Sequence, residues 1–374
     1  MGSPFSADSV SAQIENCTYC PKLCRHACPV SEASGRESLI PREKMARLGR
    51  LQSRQVPWKA ESAESLYACT GCRQCTRYCK HDNEPGLVLF AGRAAAASRG
   101  AGHPRLANYP DRFRARDQRL VKEQRERFGT GGEQTSPVGF FPGCDSLGKG
   151  PTDVAAALEL FARLGTERIE LIDAQVACAG YPLLAAGYTD MFRWQANRVA
   201  AELRAYRTVV VNCSACVYAM RVQYPAEGVT LNAEIISMPE LLAQWTPRMK
   251  PAGDKKPVYY HDPCYLARYV GVVEPPRRVL AKVSDLRELG WSGVETECCG
   301  GAGLLPKTMP DVADAMARNR LREVASAGGG TVVTSCGTCA FMLKSNAPTN
   351  VEVKDLATAI LERLAGKRAP TGSP

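Results

Sequence analysis

The second half of the chain alternates short apolar runs with amphipathic stretches. The runs VGFFPGC, TVVVNC, VYYHDPC and TVVTSC are rich in β-branched or aromatic residues, and each ends at a cysteine. In the stretch PTDVAAALELFARLG, apolar residues recur at helical spacing, with Thr152 or Asp153 as the expected N-cap and Gly165 as the expected stop. This alternation predicts α/β domains with parallel sheets covered by helices.

The same half contains an internal duplication that the cysteines mark. The offset is 120 residues for Cys144 with Cys264 and for Cys178 with Cys298, and 123 residues for Cys213 with Cys336 and for Cys216 with Cys339. The segment RTVVVNCSAC likewise matches GTVVTSCGTC. Ligands of parallel sheets gather beyond the carboxyl ends of the strands. Each copy is therefore predicted to assemble one site from loops that are distant in sequence.

The first part of the chain has a helical pattern between two runs of cysteines. After Pro41, the apolar residues Met45, Leu48 and Leu51 fall on one face of a predicted helix. A second helix is predicted through Glu61 and Leu66, leading into the second cysteine run. This part is predicted to be helical.

The chain has 17 cysteines, and all of them fall into patterns typical of ligands. Disulfides are the alternative, but they belong mainly to short secreted chains that lack a core. This chain has 374 residues, 45% of them hydrophobic, and its start has neither a basic region nor an apolar run. No apolar stretch approaches the roughly 20 residues that span a bilayer. We expect a cytoplasmic protein whose cysteines bind metal or do redox chemistry.

The first two cysteine runs indicate iron–sulfur clusters. The run CTGCRQCTRYC has the C-x2-C-x2-C-x3-C spacing of bacterial two-cluster ferredoxins, in which the fourth cysteine binds the other cluster. The run CTYCPKLCRHACP has one residue more between its second and third cysteines. The expected ligands are Cys17, Cys20, Cys24 and Cys79 for one cubane, and Cys69, Cys72, Cys75 and Cys28 for the other. A pair of zinc knuckles is the alternative, because CxxC pairs also suit tetrahedral zinc.

The net charge of +10 is distributed unevenly. Residues 91–128 contain ten Arg or Lys and four Asp or Glu, which gives this stretch a charge of +6. A solvated helical linker is one interpretation, and a docking surface for an acidic partner or anionic lipid headgroups is the other. Nucleic acid is disfavoured as a partner, because no binding motif accompanies the charge.

The whole arrangement resembles a known family of iron–sulfur subunits. The second copy contains HDPC at Cys264, CCGGAG at Cys298 and Cys299, and CGTC at Cys336 and Cys339. The first copy contains the corresponding strings FPGC, CAGYP and CSAC. These motifs, placed after a two-cluster α-helical ferredoxin domain, resemble the tandem cysteine-rich (CCG) domains of the heterodisulfide reductase catalytic subunit family. Glycolate oxidase iron–sulfur subunits and the third subunit of anaerobic glycerol-3-phosphate dehydrogenase share them.

The resemblance implies different cofactors for the two copies. In heterodisulfide reductases, five-cysteine motifs hold non-cubane [4Fe–4S] clusters at which a disulfide is reduced. It implies such a catalytic cluster at Cys264, Cys298, Cys299, Cys336 and Cys339. The first copy has Ala179 where the second has Cys299. Its four thiolates suit a four-iron cluster or structural zinc, and an empty site is a third alternative. They are Cys144, Cys178, Cys213 and Cys216.

These observations predict an iron–sulfur oxidoreductase subunit. The expected domains are a ferredoxin-type domain (1–90), a basic helical linker (91–135), two cysteine-rich domains (136–250 and 256–365) and a disordered tail (366–374). Electrons would pass between a flavoprotein or dehydrogenase partner and a quinone or cytochrome subunit of a membrane. The alternative is a catalytic heterodisulfide reductase subunit that reduces the disulfide of a thiol-carrier protein. A location at the inner face of the membrane would suit the first interpretation.

Overall fold

The computed structural model describes residues 7–129, 135–173 and 175–364. The predicted tail at 366–374 and the end of the predicted linker at 130–134 lie outside the described residues. The chain divides into two compact units, which are described separately. The first unit comprises Met1–Arg112, Tyr181–Phe192 and Glu295–Arg320, and the second comprises Phe113–Gly180, Arg193–Val294 and Leu321–Pro374.

The N-terminal part of the first unit is helical. Its helices are α1 (Ala7–Tyr19), α2 (Pro29–Ser34), α3 (Pro41–Gln52), α4 (Ala60–Ala63), α5 (Gln74–Arg77) and α6 (Pro85–Ser98), with short 3-10 turns at Arg25–Ala27, Glu37–Leu39, Glu64–Tyr67 and Pro104–Leu106. The helix predicted after Pro41 is confirmed as α3, which packs against α1 and α6. Its Met45, Leu48 and Leu51 are fully buried. The proline at its first position suits a helix start, where no backbone N–H is needed.

The second unit contains two four-stranded sheets in which all pairings are parallel. The strands are β1 (Val138–Phe141), β2 (Glu170–Leu171), β3 (Thr208–Val211), β4 (Glu234–Ser237), β5 (Pro257–His261), β6 (Asp285–Glu288), β7 (Gly330–Thr334) and β8 (Val351–Asp355). The strand orders are β2-β1-β3-β4 and β6-β5-β7-β8. The predicted parallel α/β fold and its duplication are confirmed, since the two sheets have the same topology.

Helices connect the strands of both sheets, and the division between the two units falls within this set of helices. They are α7 (Tyr109–Phe128), α8 (Cys144–Lys149), α9 (Pro151–Leu164), α10 (Tyr181–Ala186), α11 (Thr189–Glu202), α12 (Ser214–Tyr218), α13 (Tyr224–Ala226), α14 (Met238–Gln244), α15 (Glu274–Val283), α16 (Leu305–Thr308), α17 (Pro310–Ser326), α18 (Gly337–Ser345) and α19 (Leu356–Leu361). The other turns are 3-10 helical at Thr246–Arg248 and Gly293–Glu295, and π-helical at Ala219–Gln223 and Leu266–Val270. Within the second unit, α9 packs on α19, α14 on α15, and α8 on α18.

Helix α9 begins earlier than the sequence predicted. Gly150, rather than Thr152 or Asp153, is the N-cap, and Pro151 is the first helical residue. The Asp153 carboxylate instead accepts hydrogen bonds from Lys344 Nζ at 3.0 Å and Thr358 Oγ1 at 2.9 Å. The predicted end of the helix at Gly165 is confirmed. Long-range partners for the carboxylate and the fixed φ of proline at the helix start explain the difference.

The basic stretch at 91–128 covers the end of α6, a 3-10 turn and the whole of α7, and several cations of α7 have partners within the chain. Arg119 pairs with Glu123 one turn later, at 3.1 Å. Arg116 Nη2 lies 2.8 Å from Asp145 Oδ1, and its side chain is only 32% exposed. These ion pairs reduce the charge that the helix offers to an external partner.

Candidate metal centres

The first unit contains a cavity lined by sulfur atoms from both cysteine runs. Its cysteines are Cys17, Cys20, Cys24, Cys75 and Cys79. Helix α1 carries the first of them, and the turn after it carries the next two. The structure therefore brings Cys79, from the end of the second run, to the cysteines that begin the first run.

A second cavity lies in the same unit. Its cysteines are Cys28, Cys69, Cys72 and Cys75. Cys28 is the last cysteine of the first run, and Pro29 starts α2 directly after it. Cys75 lines both cavities, so the cavities are neighbours. The arrangement has the crossed pattern that the ferredoxin spacing predicts, and the ligand sets themselves stay predictions.

Hydrogen-bond donors point at sulfur atoms in both cavities. In the first cavity, Asn83 Nδ2 donates to Cys17 Sγ at 3.1 Å. In the second, Lys44 Nζ donates to Cys28 Sγ at 3.6 Å, and the Gly71 N–H donates to Cys69 Sγ at 3.4 Å. Donors of this kind orient sulfur ligands and stabilise negative charge on them.

The thiols in these cavities resist ionisation when only protein surrounds them. Burial, together with the charges of neighbouring cysteines, raises the pKa of Cys17 to about 11 and that of Cys24 to about 12. Burial also raises the pKa of Cys75 well above its usual range. A polynuclear cation removes this penalty, because it binds the thiolates and neutralises their charge. The sulfur-lined cavities and their donors fit an iron–sulfur cluster.

For Lys44, in contrast, the charged form is favoured although the side chain is buried. Burial lowers the pKa of its ammonium group, but the charges of the surrounding cysteines more than offset this, and the pKa is raised overall. The cysteines responsible are Cys28, Cys69, Cys75 and Cys72. The second cavity therefore contains a buried cation that the sulfur atoms stabilise.

Arg93 connects the second cavity to the loop of the CCGGAG motif. Its guanidinium is fully buried and donates to the carbonyl oxygens of Leu66 at 2.9 Å and Cys69 at 2.5 Å. It also donates to Ala185 O at 2.7 Å and Gly303 O at 3.0 Å. Gly303 has φ +65°, and a Cβ there would collide with the Cys69 carbonyl. The end of this motif thus lies directly against the loop that begins with Cys69.

In the first copy, three of the four cysteines lie beyond the carboxyl ends of β1 and β3, and the fourth, Cys178, lies in a loop. Cys144 follows β1, and the Cys178 thiol hydrogen-bonds to it and lowers its pKa. Cys213 and Cys216 follow β3. Gly143 has φ +85°, and a Cβ there would lie 3.5 Å from Cys213 Sγ and 3.6 Å from Cys216 Sγ. Glycine at this position keeps space open beside the sulfur atoms.

The cysteines of the second copy occupy equivalent places. Cys264 follows β5, and Cys336 and Cys339 follow β7. All three are buried within the second unit. Cys298 and Cys299 are also buried and belong to the first unit, in the loop before α16.

The CxxC segments of the two copies meet inside the second unit. The Cys213 thiol hydrogen-bonds to the Cys336 sulfur, and Ser214 Oγ donates to the same sulfur at 3.0 Å. Hydrogen bonds from Cys213, Cys339 and Ser214 lower the pKa of Cys336 well below its usual range. A residue of the first copy thus stabilises a thiolate of the second.

Sequence reasoning did not identify the donors to these sulfur atoms. Asn83 is only four residues beyond Cys79, so its proximity to a ligand run was a usable signal. Lys44 occupies the interior of a helix, where a lysine is ordinarily expected at the surface. Ser214 lies within the motif CSAC, but nothing in one copy indicates a contact with the other.

Two family models match the chain. The model of a 4Fe-4S dicluster domain matches residues 13–83. The model of a cysteine-rich domain, CCG, matches twice, at 138–221 and 258–344. The chain belongs to the family of iron–sulfur subunits that combine these domains. The predicted family and fold class are therefore confirmed, whereas the exact domain boundaries stay predictions.

The sequences of several relatives align with most of the chain. It is 30% identical to one subunit of the fumarate reductase (CoM/CoB) of Methanothermobacter marburgensis over 76% of the chain, and it spans 58% of that relative's length. It is 24% identical to one subunit of the dihydromethanophenazine:CoB–CoM heterodisulfide reductase of Methanosarcina acetivorans, with 94% of each covered. It is 25% identical to one subunit of the anaerobic glycerol-3-phosphate dehydrogenase of Escherichia coli K12, over 61% of the chain and 59% of that relative.

These similarities establish the general class of the protein. It is an iron–sulfur oxidoreductase subunit related to the three proteins named above. Its dicluster and cysteine-rich domains indicate iron–sulfur clusters as cofactors. Among the described residues, no helix combines the length and the apolar character needed to cross a bilayer. A solved glutamate racemase of Bacillus anthracis matches with a TM-score of 0.29 and 14% identity, which is too weak to bear on the fold.

Proposed function

We propose that this subunit carries electrons between a flavoprotein or dehydrogenase partner and a quinone or cytochrome subunit of a membrane. The carriers would be two cubane [4Fe–4S] clusters and one cluster in the second cysteine-rich copy. When bound, such clusters accept and release single electrons. The observation that supports this function most directly is the contact between the second cavity and the CCGGAG loop. Both lie in the first unit, where Arg93 binds the carbonyl oxygens of Cys69 and Gly303.

The protein's own residues would hold the clusters and orient their sulfur ligands. The proposed ligands are Cys17, Cys20, Cys24 and Cys79 for one cubane, Cys69, Cys72, Cys75 and Cys28 for the other, and Cys264, Cys298, Cys299, Cys336 and Cys339 for a non-cubane cluster. For the first copy we propose a further four-iron cluster or zinc at Cys144, Cys178, Cys213 and Cys216. Asn83 and Lys44 would fix the sulfurs of Cys17 and Cys28, while burial would limit access of water.

The second candidate function is reduction of a disulfide on a thiol carrier. The specific observation in its favour is the environment of Cys336. Three hydrogen-bond donors stabilise the thiolate of this residue. A relative that is 24% identical and aligns with 94% of the chain is named as part of a heterodisulfide reductase. In this function the second copy would be the catalytic site rather than a relay, with electrons arriving through the same two cubanes.

Metal and sulfide analysis of the anaerobically purified protein tests the proposal. Two cubanes and one further four-iron cluster correspond to about twelve iron atoms per chain, and a fourth cluster raises this to about sixteen. Stoichiometric zinc without acid-labile sulfide would overturn the redox function. With clusters present, electron transfer from reduced protein to a quinone, compared with transfer to a thiol-carrier disulfide, separates the two candidate functions.

Exchange of single cysteines tests the crossed ligand sets. Cys79→Ala should damage the cluster built mainly by Cys17, Cys20 and Cys24, and Cys28→Ala should damage the other. Electron paramagnetic resonance (EPR) spectra of each variant identify the cluster that is lost. If each variant loses the cluster of its own run, the crossed assignment is wrong.

A further inference from the structure

The two cavities of the first unit differ in the charge of their sulfur donor. In the first cavity, the donor to Cys17 is the neutral amide of Asn83. Arg42 and Lys80 also line this cavity, but Arg42 pairs with Glu43 and Lys80 is exposed to solvent. In the second, the donor to Cys28 is the ammonium group of Lys44. The cysteine motifs around the cavities are similar, so the sequence pattern alone gives no reason to expect that their clusters differ.

The position of the ammonium group is fixed by the fold. Lys44 lies on α3 and is only 2% exposed. Its Nζ also donates to the carbonyl oxygen of Ala68 at 2.8 Å. Ala68 directly precedes Cys69, so the lysine connects the ligand loops of the two runs. Neighbouring Met45 and Leu48 are fully buried, which keeps the helix anchored in the core.

We infer that Lys44 is a positioning residue that raises the reduction potential of the cluster in the second cavity above that of the cluster in the first. Reduction adds one electron and makes a cluster more negative. A buried ammonium group beside the ligand sulfur stabilises that added charge, because screening by water is weak in the interior. A neutral amide supplies a hydrogen bond without the net charge, so its effect on the potential is smaller.

This difference gives a direction to electron transfer between the cavities. With clusters bound in both cavities, one electron would leave the cluster of the first, which would be oxidised, and reduce the cluster of the second. Cys75 lines both cavities, so the two sites are neighbours. The electron would then lie beside the Cys69 loop, against which the CCGGAG motif packs. The inference rests on the proposed function, because it requires that both cavities hold clusters.

The test is a potentiometric titration of the whole protein, purified anaerobically and followed by EPR. In Lys44→Met, we expect the reduction step of one of the two cubane clusters to move to lower potential. The expected change is at least a tenfold loss in the ratio of reduced to oxidised cluster at a fixed potential, or about 59 mV for one electron. Lys44→Arg retains the charge and should stay close to the wild type. Asn83→Leu, the matched control, should move the other step and by a smaller amount.

Lys44→Gln covers the case in which Lys44→Met fails to retain its cluster. The amide still donates a hydrogen bond but has no charge. This variant should therefore keep its iron, and the reduction potential of its cluster should fall as it does in Lys44→Met. A wild-type potential in Lys44→Gln overturns the inference. So does movement of the same step by Lys44→Met and Asn83→Leu. Iron and sulfide content is measured first, since absence of both clusters from the wild type refutes the proposed function instead.

Discussion

The two cysteine-rich copies share one scaffold, yet different side chains surround their cysteines. Both sheets have four parallel strands in the same order, and cysteines follow equivalent strands in each. Next to Cys144, the first copy carries Asp145, which pairs with Arg116 at 2.8 Å and with Lys149 at 3.2 Å. Next to Cys264, the second copy carries Tyr265. Duplication therefore preserved the backbone, while the residues that set charge and dielectric diverged.

The helix pairs that contact each other across the two copies, here called crossings, show the same divergence. They are α12 with the π-helical turn Leu266–Val270, and α18 with α8. On one side of the second unit, the Tyr218 ring lies 4.3 Å from that of Tyr269 and 5.2 Å from that of Tyr265. The equivalent residues on the other side are Phe341 and Lys149, whose ammonium lies 3.9 Å from the ring. One crossing is aromatic and the other is a cation–π contact. The aromatic side includes Tyr265, which directly follows Cys264 in the chain.

The comparison predicts that the fifth cysteine of the second copy has the largest effect on turnover. Cys299→Ala should preserve both cubane EPR signals and the fold. Electron delivery to the natural acceptor should fall by more than the roughly 10–100-fold that is typical when a hydrogen-bond partner of a metal ligand is changed. The reason is chemical: four thiolates complete an ordinary four-iron cluster, so a fifth implies an altered iron environment.

Steady-state turnover with the physiological partners measures this effect, with cubane spectra recorded on the same samples. The position in the first copy that corresponds to Cys299 is already Ala179, so the control there is Cys178→Ala, which removes the cysteine of the corresponding loop and should affect turnover less. Near-normal turnover of Cys299→Ala would show that the second copy is not the terminal redox site. The protein would then act as a relay of cubanes.

The next largest effect is expected at the aromatic crossing. Tyr218 is 1% exposed and contacts two tyrosines, so Tyr218→Ala removes a large buried ring and should cost about 3 kcal/mol. Phe341→Ala removes a partly exposed ring and should cost about 1 kcal/mol. Thermal unfolding under anaerobic conditions gives the two changes in midpoint. Equal shifts would mean that the crossings are energetically equivalent, contrary to the comparison.

Much of this fold follows from local sequence patterns, because those patterns reflect nearby interactions. Proline at the first turn and apolar residues at helical spacing identify α3, and apolar runs ending at cysteines identify β1 and β7. The predicted start of α9 was wrong because Asp153 binds Lys344 and Thr358, which are distant in sequence. The proximity of Cys213 to Cys336 could not be predicted either. It depends on how two copies pack, which the spacing within one copy does not encode.

Ser214 tests whether the first copy supports the second. Ser214→Ala removes the hydroxyl that donates to Cys336 Sγ, so metal affinity at the second copy should fall by about 10–100-fold. The equivalent residue in the second copy is Gly337, which has no side chain to donate in return. Competition with a chelator, followed by iron analysis, measures the affinity. Ser214→Thr retains the hydroxyl and is the control, and loss of metal from the first copy alone would contradict the assignment.

The smallest expected effect concerns the residues that cap the helices after the last strand of each copy. In the first copy, Ser237 caps α14, and its hydroxyl donates to Glu240 at 2.6 Å. In the second copy, Asp355 caps α19 and accepts from the Ala357 N–H at 2.9 Å. Asp355 also accepts from Asn212 at 3.3 Å. The same structural position is therefore neutral in one copy and acidic in the other.

Asp355 should make stability depend on pH near neutrality. Burial, and then the charge of Asp153, raises the pKa of Asp355 from 3.8 to about 7. The folded state thus retains a proton that the unfolded state releases near pH 4, so this contribution to stability is complete below pH 4 and is lost as pH rises through 7. Between pH 6 and pH 8 the loss is about 1.4 kcal/mol.

Asp355→Asn should abolish that loss, because an amide cannot ionise. The measurement is the thermal midpoint at pH 6 and at pH 8 for the wild type and the variant. Ser237→Ala is the matched control in the first copy: it removes a cap and should cost about 1 kcal/mol equally at both pH values. If the wild type shows no decline between pH 6 and pH 8, or Asp355→Asn retains it, then the acidic cap does not distinguish the copies. A decline that disappears only in Asp355→Asn assigns it to the second copy, because the Ser237 cap carries no charge that titrates in this range.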